Sequence, residues 1–216
     1  VAFDDFSQTT RRIDAGEVAD WLEQVVATPL RGPSGEIVRL AEVPLHRQVR
    51  ELDFLVAGAG VSDRAVIEAV DAEFGLDVVA GGARWSGFLR GFIDLVFEHG
   101  GRYYLLDWKS NHLGDTVRHY AAGALATAMR RHAYSLQASL YTLALHRWLR
   151  RRLPAYDYER DFGGVFYVFL RGAGLPVPDG DALGVAAAGV HASRPSRALI
   201  ERLDGLFAAV SRSDVG

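Results

Sequence analysis

Between Gly87 and Ser110 the chain carries two apolar blocks, Gly91-Phe92-Ile93-Asp94-Leu95-Val96-Phe97-Glu98 and Arg102-Tyr103-Tyr104-Leu105-Leu106-Asp107-Trp108-Lys109, joined by His99-Gly100-Gly101. Blocks of that length, rich in β-branched and aromatic residues and separated by a glycine pair, predict an antiparallel hairpin. Each is apolar at odd and even positions alike, so both faces of the resulting sheet should be covered. Gly163 to Leu170 predicts another strand, and Val49, Leu52, Phe54 and Val56 predict one more between His46 and Val56.

Helical periodicity marks Ala15 to Ala27, Thr116 to Arg130 and Ala133 to Arg152, the last with Leu136, Leu140, Leu143 and Ala144 on one stripe. Ser62 reads as the N-cap of a short helix to about Phe74, with Asp63 in its first turn. The Gly58-Ala59-Gly60 ahead of it lacks the third glycine of a dinucleotide fingerprint, since Asp63 stands there, and so reads as a turn. Pro29 to Gly35 and Arg171 to His191 are rich in breakers and predict loops, and Pro195 is placed to open a terminal helix to about Val210. Neither a repeat nor an internal boundary interrupts the pattern. One domain over 1–216 is expected, with its core over about 46–172 and a C-terminal helix over about 195–210.

Composition narrows the class. The 216 residues include no cysteine, which excludes disulfide scaffolds and Cys-based zinc sites. No apolar run approaches the roughly 18 residues of a membrane span, and the acidic Val1-Ala2-Phe3-Asp4-Asp5-Phe6 is unlike a signal peptide, so a cytoplasmic protein with no membrane partner is expected. The net charge of −3 is unevenly spread: residues 1–80 carry 7 basic and 15 acidic groups, residues 81–160 carry 12 and 6. Much of that basic middle lies in Arg130-Arg131-His132 and in His146-Arg147 through Arg150-Arg151-Arg152. Such a flank is either a solvated helix face or a phosphate-binding surface, with Arg130, Arg131 and Arg147 the candidate DNA contacts. Of the 24 basic residues only Lys109 is a lysine.

Candidate chemistry gathers on the hairpin. Alternate side chains of a strand share a face, so Asp107 and Lys109 point the same way while the Trp108 carbonyl is left to face a ligand. Asp94, on the neighbouring strand, reaches the same spot if the register allows. Two carboxylates are a sufficient protein contribution to a Mg²⁺ site completed by water and phosphate, and a lysine beside the attacking water can orient or deprotonate it. A buried ion pair between Lys109 and one aspartate is the competing reading. Gln137 and Tyr141, four apart on a helix, share a face, and Glu51 is a further acid beside an apolar strand. His-Glu-x-x-His, Gly-x-Ser-x-Gly and Walker A patterns are absent.

Four separated segments carry a family resemblance: Gly91 to Phe97; Gly101 to Asn111; Tyr134-Ser135-Leu136-Gln137 with Leu140-Tyr141-Thr142-Leu143-Ala144-Leu145; and Phe162 to Gly172. In that order they resemble the C-terminal nuclease domains of the RecB family, densely from about Trp85 to Gly172. The resemblance implies an α/β restriction-endonuclease-like PD-(D/E)XK core, a mixed central β-sheet flanked by helices. It implies a metal-dependent deoxyribonuclease of exodeoxyribonuclease V type, acting on linear duplex ends or single strands in double-strand break repair and recombination, with RecC-like and RecD-like subunits as partners. Asp94, Asp107 and the Trp108 carbonyl become ligands of Mg²⁺, for which Mn²⁺ or Ca²⁺ can substitute, and Lys109 the catalytic lysine. Gln137 and Tyr141 match the family's Gln-x-x-x-Tyr, and Glu51 in Glu-Leu-Asp-Phe an acidic position ahead of the core. The family's upstream metal-binding histidine has no counterpart among the seven histidines, and Ile93 replaces the proline before the first aspartate. The chain is therefore expected to be a domain of a longer helicase–nuclease polypeptide. The competing expectation is a catalytically weak or inactive nuclease-like module that binds DNA or docks a subunit.

Overall fold

A computed structural model describes residues 14–175 and 187–211. The chain's N-terminal residues and part of the Gly- and Pro-rich segment between Arg171 and His191 lie outside them. In order, the elements are α1 (Ala15–Ala27), β1 (Leu30–Arg31), β2 (Ile37–Val38), β3 (Gln48–Ala57), α2 (Asp63–Phe74), β4 (Phe88–His99), β5 (Arg102–Lys109), α3 (Ala122–Arg131), α4 (Tyr134–Arg152), α5 (Tyr158–Asp161), β6 (Phe162–Phe169), β7 (Val190–Ser193) and α6 (Arg197–Ser211).

The expected mixed sheet flanked by helices is present. Five strands lie in the order β3-β4-β5-β6-β7; β5 and β6 are parallel and the other neighbours antiparallel. The parallel pair needs a crossover, which α3 and α4 supply. One face packs Val96, Leu105, Val165 and Tyr167 against residues of α2, α3, α4 and α6. The other packs Leu95, Phe97, Tyr104, Leu106 and Phe166 against Val25 of α1, Leu30, Val38, Leu40 and Val43. Adjacent residues of β4, β5 and β6 thus enter opposite cores, which is why those strands read as unbroken apolar runs.

The α2 cap is as expected, the Ser62 hydroxyl accepting from the Ala65 N–H. Four readings need correction. The helix expected over Thr116–Arg130 is broken: a 3-10 turn over Val117–Tyr120 is closed by a reciprocal Thr116–His119 cap, and α3 starts only after Ala121. The loop expected to run to His191 ends earlier, because Val190–Ser193 form the edge strand β7 on β6. Likewise Leu30–Arg31, inside the Pro29–Gly35 segment, pair with Ile37–Val38 in a small hairpin. At α6 Pro195 precedes the cap: the Ser196 hydroxyl accepts from the Leu199 N–H, so Ser196 sets the start. The stripe expected on α4 faces the core: Leu143 and Ala144 are buried in it and Leu136 and Leu140 pack against it half-buried, with Ser135, Ala138, Ser139 and Thr142 buried beside them. Small side chains let the helix lie close to the sheet, and the Ser139 hydroxyl satisfies itself on the Ser135 carbonyl.

Candidate active site

The site lies where the sheet splits. The β4–β5 ladder runs from His99↔Arg102 to Leu95↔Leu106 and stops there, one position before Asp94 would face Asp107. Side-chain alternation slips at the same point. Leu95 belongs to one core, yet Val96 on one side and Ile93 on the other both belong to the opposite core. On β3 the ladder to β4 skips the position between Arg50↔Leu95 and Leu52↔Ile93, where Glu51 stands with φ of 52°. A left-handed glutamate inside a strand is strained by about 1–3 kcal/mol, and such strain concentrates at functional sites.

In the gap, the Asp94 Oδ2 accepts from the Trp108 N–H at 2.8 Å, taking the place of a ladder bond. The N–H and C=O of one strand residue point to the same side, and the Lys109 carbonyl is spent on Leu170 of the β6 side. The Trp108 carbonyl therefore opens into the gap beside Asp94. Glu51, Asp94 and Trp108 line one cleft of about 810 Å³, with Val26, Leu40, Pro44 and Arg50 among its walls.

Asp107 and Lys109 share the opposite face of β5. Asp107 is 5% exposed, and its Oδ2 lies 2.5 Å from the Lys109 ammonium. That ammonium also donates to Gln137 Oε1 at 3.0 Å and sits 4.1 Å from the ring centre of Tyr134 and 5.0 Å from that of Tyr167. The register places Tyr167 of β6 directly beside Asp107. Its hydroxyl is shared between the Tyr134 carbonyl at 3.0 Å and Gln137 Oε1 at 3.1 Å. The other end of the Gln137 amide donates to the Tyr141 hydroxyl at 2.9 Å, so the network fixes which way the amide points. Tyr141 rests edge-on against Phe54, and the Tyr134 hydroxyl donates to Asn111.

Burial raises the Asp107 carboxyl above its usual value, and nearby Asp94 adds to the rise while Lys109 opposes it. A buried carboxylate next to a second one is held ionised at the expense of folding unless cations offset it. Burial, then the Asp107 charge, raises the Tyr141 and Tyr167 phenols, which keeps both neutral.

Of the residues singled out by sequence, Asp94, Asp107, Lys109, Gln137 and Tyr141 are brought together, and Glu51 stands on the Asp94 side of the cleft. Tyr134 and Tyr167 had not been singled out; the signals were Tyr134 one helical turn before Gln137 and an aromatic in the middle of an apolar strand. Arg130 and Arg131 are exposed at the end of α3, one short turn before Tyr134. Arg147 points elsewhere: its Nε meets Asp204 Oδ1 of α6 at 2.5 Å, and it is half-buried. No three His, Cys, Asp or Glu side chains form a protein-only metal cage among the described residues. The donor set does fit a hard cation that takes two carboxylates and a carbonyl and completes its shell with water and phosphate.

A mixed α/β sheet that splits to present two aspartates, with a lysine two residues after the second, defines a nuclease of the Asp…Asp-x-Lys type. The chain belongs to the PD-(D/E)XK nuclease superfamily, whose model matches residues 3–212. It is 38% identical over 200 residues to the RecBCD enzyme subunit RecB of Escherichia coli K12, a match covering 90% of this chain and 16% of that one. Against the same subunit of Haemophilus influenzae Rd it is 40% identical over 193 residues, covering 87% and 15%. Against that of Mycobacterium tuberculosis H37Rv it is 36% identical over 218 residues, covering 89% and 19%. The chain thus spans less than a fifth of the length of these relatives.

Proposed function

We propose that this chain is the Mg²⁺-dependent deoxyribonuclease domain of a RecBCD-type helicase–nuclease, hydrolysing phosphodiesters in linear duplex ends or single strands during double-strand break repair and recombination. The observation that carries it is Asp94 held on the Trp108 N–H at the split between β4 and β5, with the Asp107–Lys109 pair on the residues either side of Trp108, in a chain 38% identical to RecB over 200 residues. RecC-like and RecD-like subunits are the expected partners. The cytoplasm, which holds DNA and Mg²⁺, is the expected compartment; no helix among the described residues is long and apolar enough to cross a membrane.

In this reading Asp94, Asp107 and the Trp108 carbonyl hold the divalent cation. When bound, the ion supplies positive charge to the phosphate oxygens and acidifies the attacking water. The protein's own groups do the positioning. Asp107 and Gln137 fix the Lys109 ammonium from two sides, and the Tyr134 and Tyr167 rings restrict where its stem can go. Lys109 orients the attacking water and steadies the charge that grows on the phosphate. Tyr141 and Tyr167 lock the Gln137 amide with its oxygen toward Lys109. Glu51, which lines the same cleft as Asp94, supports the water shell. Arg130 and Arg131 lie close enough in sequence to Tyr134 to meet the phosphates flanking the scissile one.

The test is cleavage of linear DNA with and without Mg²⁺ or Mn²⁺. Activity is expected only with the ion, and Asp107→Ala and Lys109→Ala should each abolish it; undiminished cleavage by both variants sinks the proposal.

A further inference from the structure

Two grooves flank α4 on the side of the free edge of the sheet. One, of about 310 Å³, is lined by Phe54, Arg90, Leu140, Gln137 and Tyr141, and so begins at the Lys109 network. The second, of about 630 Å³, runs along consecutive residues of the edge strand β3 and faces Arg147, Trp148, Arg151 and Arg152 of α4. Phe54 lines both, so the two grooves adjoin at its side chain and mark a path from the site toward the C-terminal half of α4. From Gln137 to Arg151 that path covers about 21 Å of helix.

The far groove combines features that the fold itself does not require. Leu55 and Phe88, two of its lining residues, are 61% and 67% exposed. Arg147 and Arg150 are committed to Asp204, while Arg151 makes no ion pair among the described residues and Arg152 lies over the Trp148 ring at 4.4 Å. Asp53 is the single acid of the lining, and Arg90 neutralises it. Guanidinium groups that are not spent inside the protein, set among aromatic and apolar side chains, suit a polyanion whose bases are available for stacking. A duplex hides its bases, so the fit is to a single strand.

We propose that this α4–β3 groove binds single-stranded DNA and leads it to the site, with Arg151 and Arg152 on its phosphates and Phe88 and the Arg152–Trp148 stack against its bases. The inference rests on the nuclease reading for its direction but not for its test. Binding is measured by fluorescence anisotropy of a labelled oligothymidylate and of a duplex of equal length, in EDTA, across a salt series. The chain should prefer the single strand. The double variant Arg151→Ala/Arg152→Ala should bind it about 10- to 100-fold more weakly, with the slope of log affinity against log salt reduced by about 1.4, as expected for two lost phosphate contacts. Phe88→Ala should weaken binding about 5-fold or more with the slope unchanged. Cleavage of a dinucleotide diester, too short to span the path, should be unaffected in both. Unchanged binding in the double variant, or a preference for duplex, overturns the groove, including the case in which this edge takes a peptide strand instead. Absence of diester cleavage by the unaltered chain with any divalent ion counts against the nuclease reading alone, because the anisotropy still decides the groove.

Discussion

Lys109 is the residue on which the site's geometry converges. Its ammonium is compact, has donors that can rotate, and occupies a slot bounded by Asp107, Gln137 and two tyrosine rings. Arginine carries the same charge as a planar fork that cannot contract into that slot and does not release a proton. Lys109→Arg should therefore lower kcat on linear DNA by about 10²-fold or more, in the range of a lost proton-transfer group, with an unchanged far-UV spectrum. Retention of more than a tenth of the activity would show that only charge is needed. The scarcity of lysine already pointed to this position, since 23 of 24 basic residues are arginine. The tyrosines around it gave no comparable signal, because a tyrosine in an apolar strand is more often part of a core, and Tyr167 is both core and site.

At the scale of elements, the β4–β5 hairpin, β6, α1 and α2 were legible because their patterns are local: glycines at the turn, apolar runs, a serine cap. The split that makes the site was not. It depends on Glu51 adopting a left-handed backbone opposite Asp94, and no glycine or asparagine announces it. The break before α3 was hidden in the same way, since Ala121-Ala122 favours helix and the competing Thr116–His119 cap is visible only once the turn is formed. Glycines in β6 carry information of another kind. A Cβ on Gly163 would lie 2.1 Å from the Tyr104 ring, which is fully buried and stacked against Phe97 and Phe166 and so cannot yield. Gly163→Ala should destabilise the fold by about 3 kcal/mol, the upper part of the usual overpacking range, measured as a lower urea midpoint with unchanged m. An unaltered midpoint would mean that the β5–β6 layer is looser than its packing indicates.

For the whole molecule, the net charge was a poor guide and its distribution a better one. The basic middle third divides its arginines between structure and surface: Arg147 and Arg150 tie α4 to Asp204 of α6, while Arg151 and Arg152 face the groove. The same α4–α6 contact sets how stability responds to acid. His146 is held below the usual imidazole value, first by burial and then by Arg150, with Asp204 and Glu201 opposing and Arg197 adding the smallest effect; its ring meets the Tyr156 hydroxyl. Burial holds His191 of β7 low as well. The folded chain therefore prefers both rings neutral. Their contribution is complete above the unfolded-state value of about 6.5 and is lost as the pH falls from there through the folded-state values, because the unfolded chain takes up the protons first. Asp53 and Asp161, held low by Arg90 and Arg160, lose their contribution only in a lower window, below the unfolded carboxylate value of about 3.9. Asp107, raised by burial, works in the opposite sense and gains a proton more readily when folded. Urea midpoints in EDTA should thus fall between pH 7.5 and 5.5, before the low-pKa carboxylates titrate, and His146→Gln, which keeps a polar group toward Tyr156, should flatten part of that fall. A midpoint that is level over this range would mean that neither buried ring contributes, and a decline of equal size in His146→Gln would place the acid sensitivity outside the α4–α6 contact.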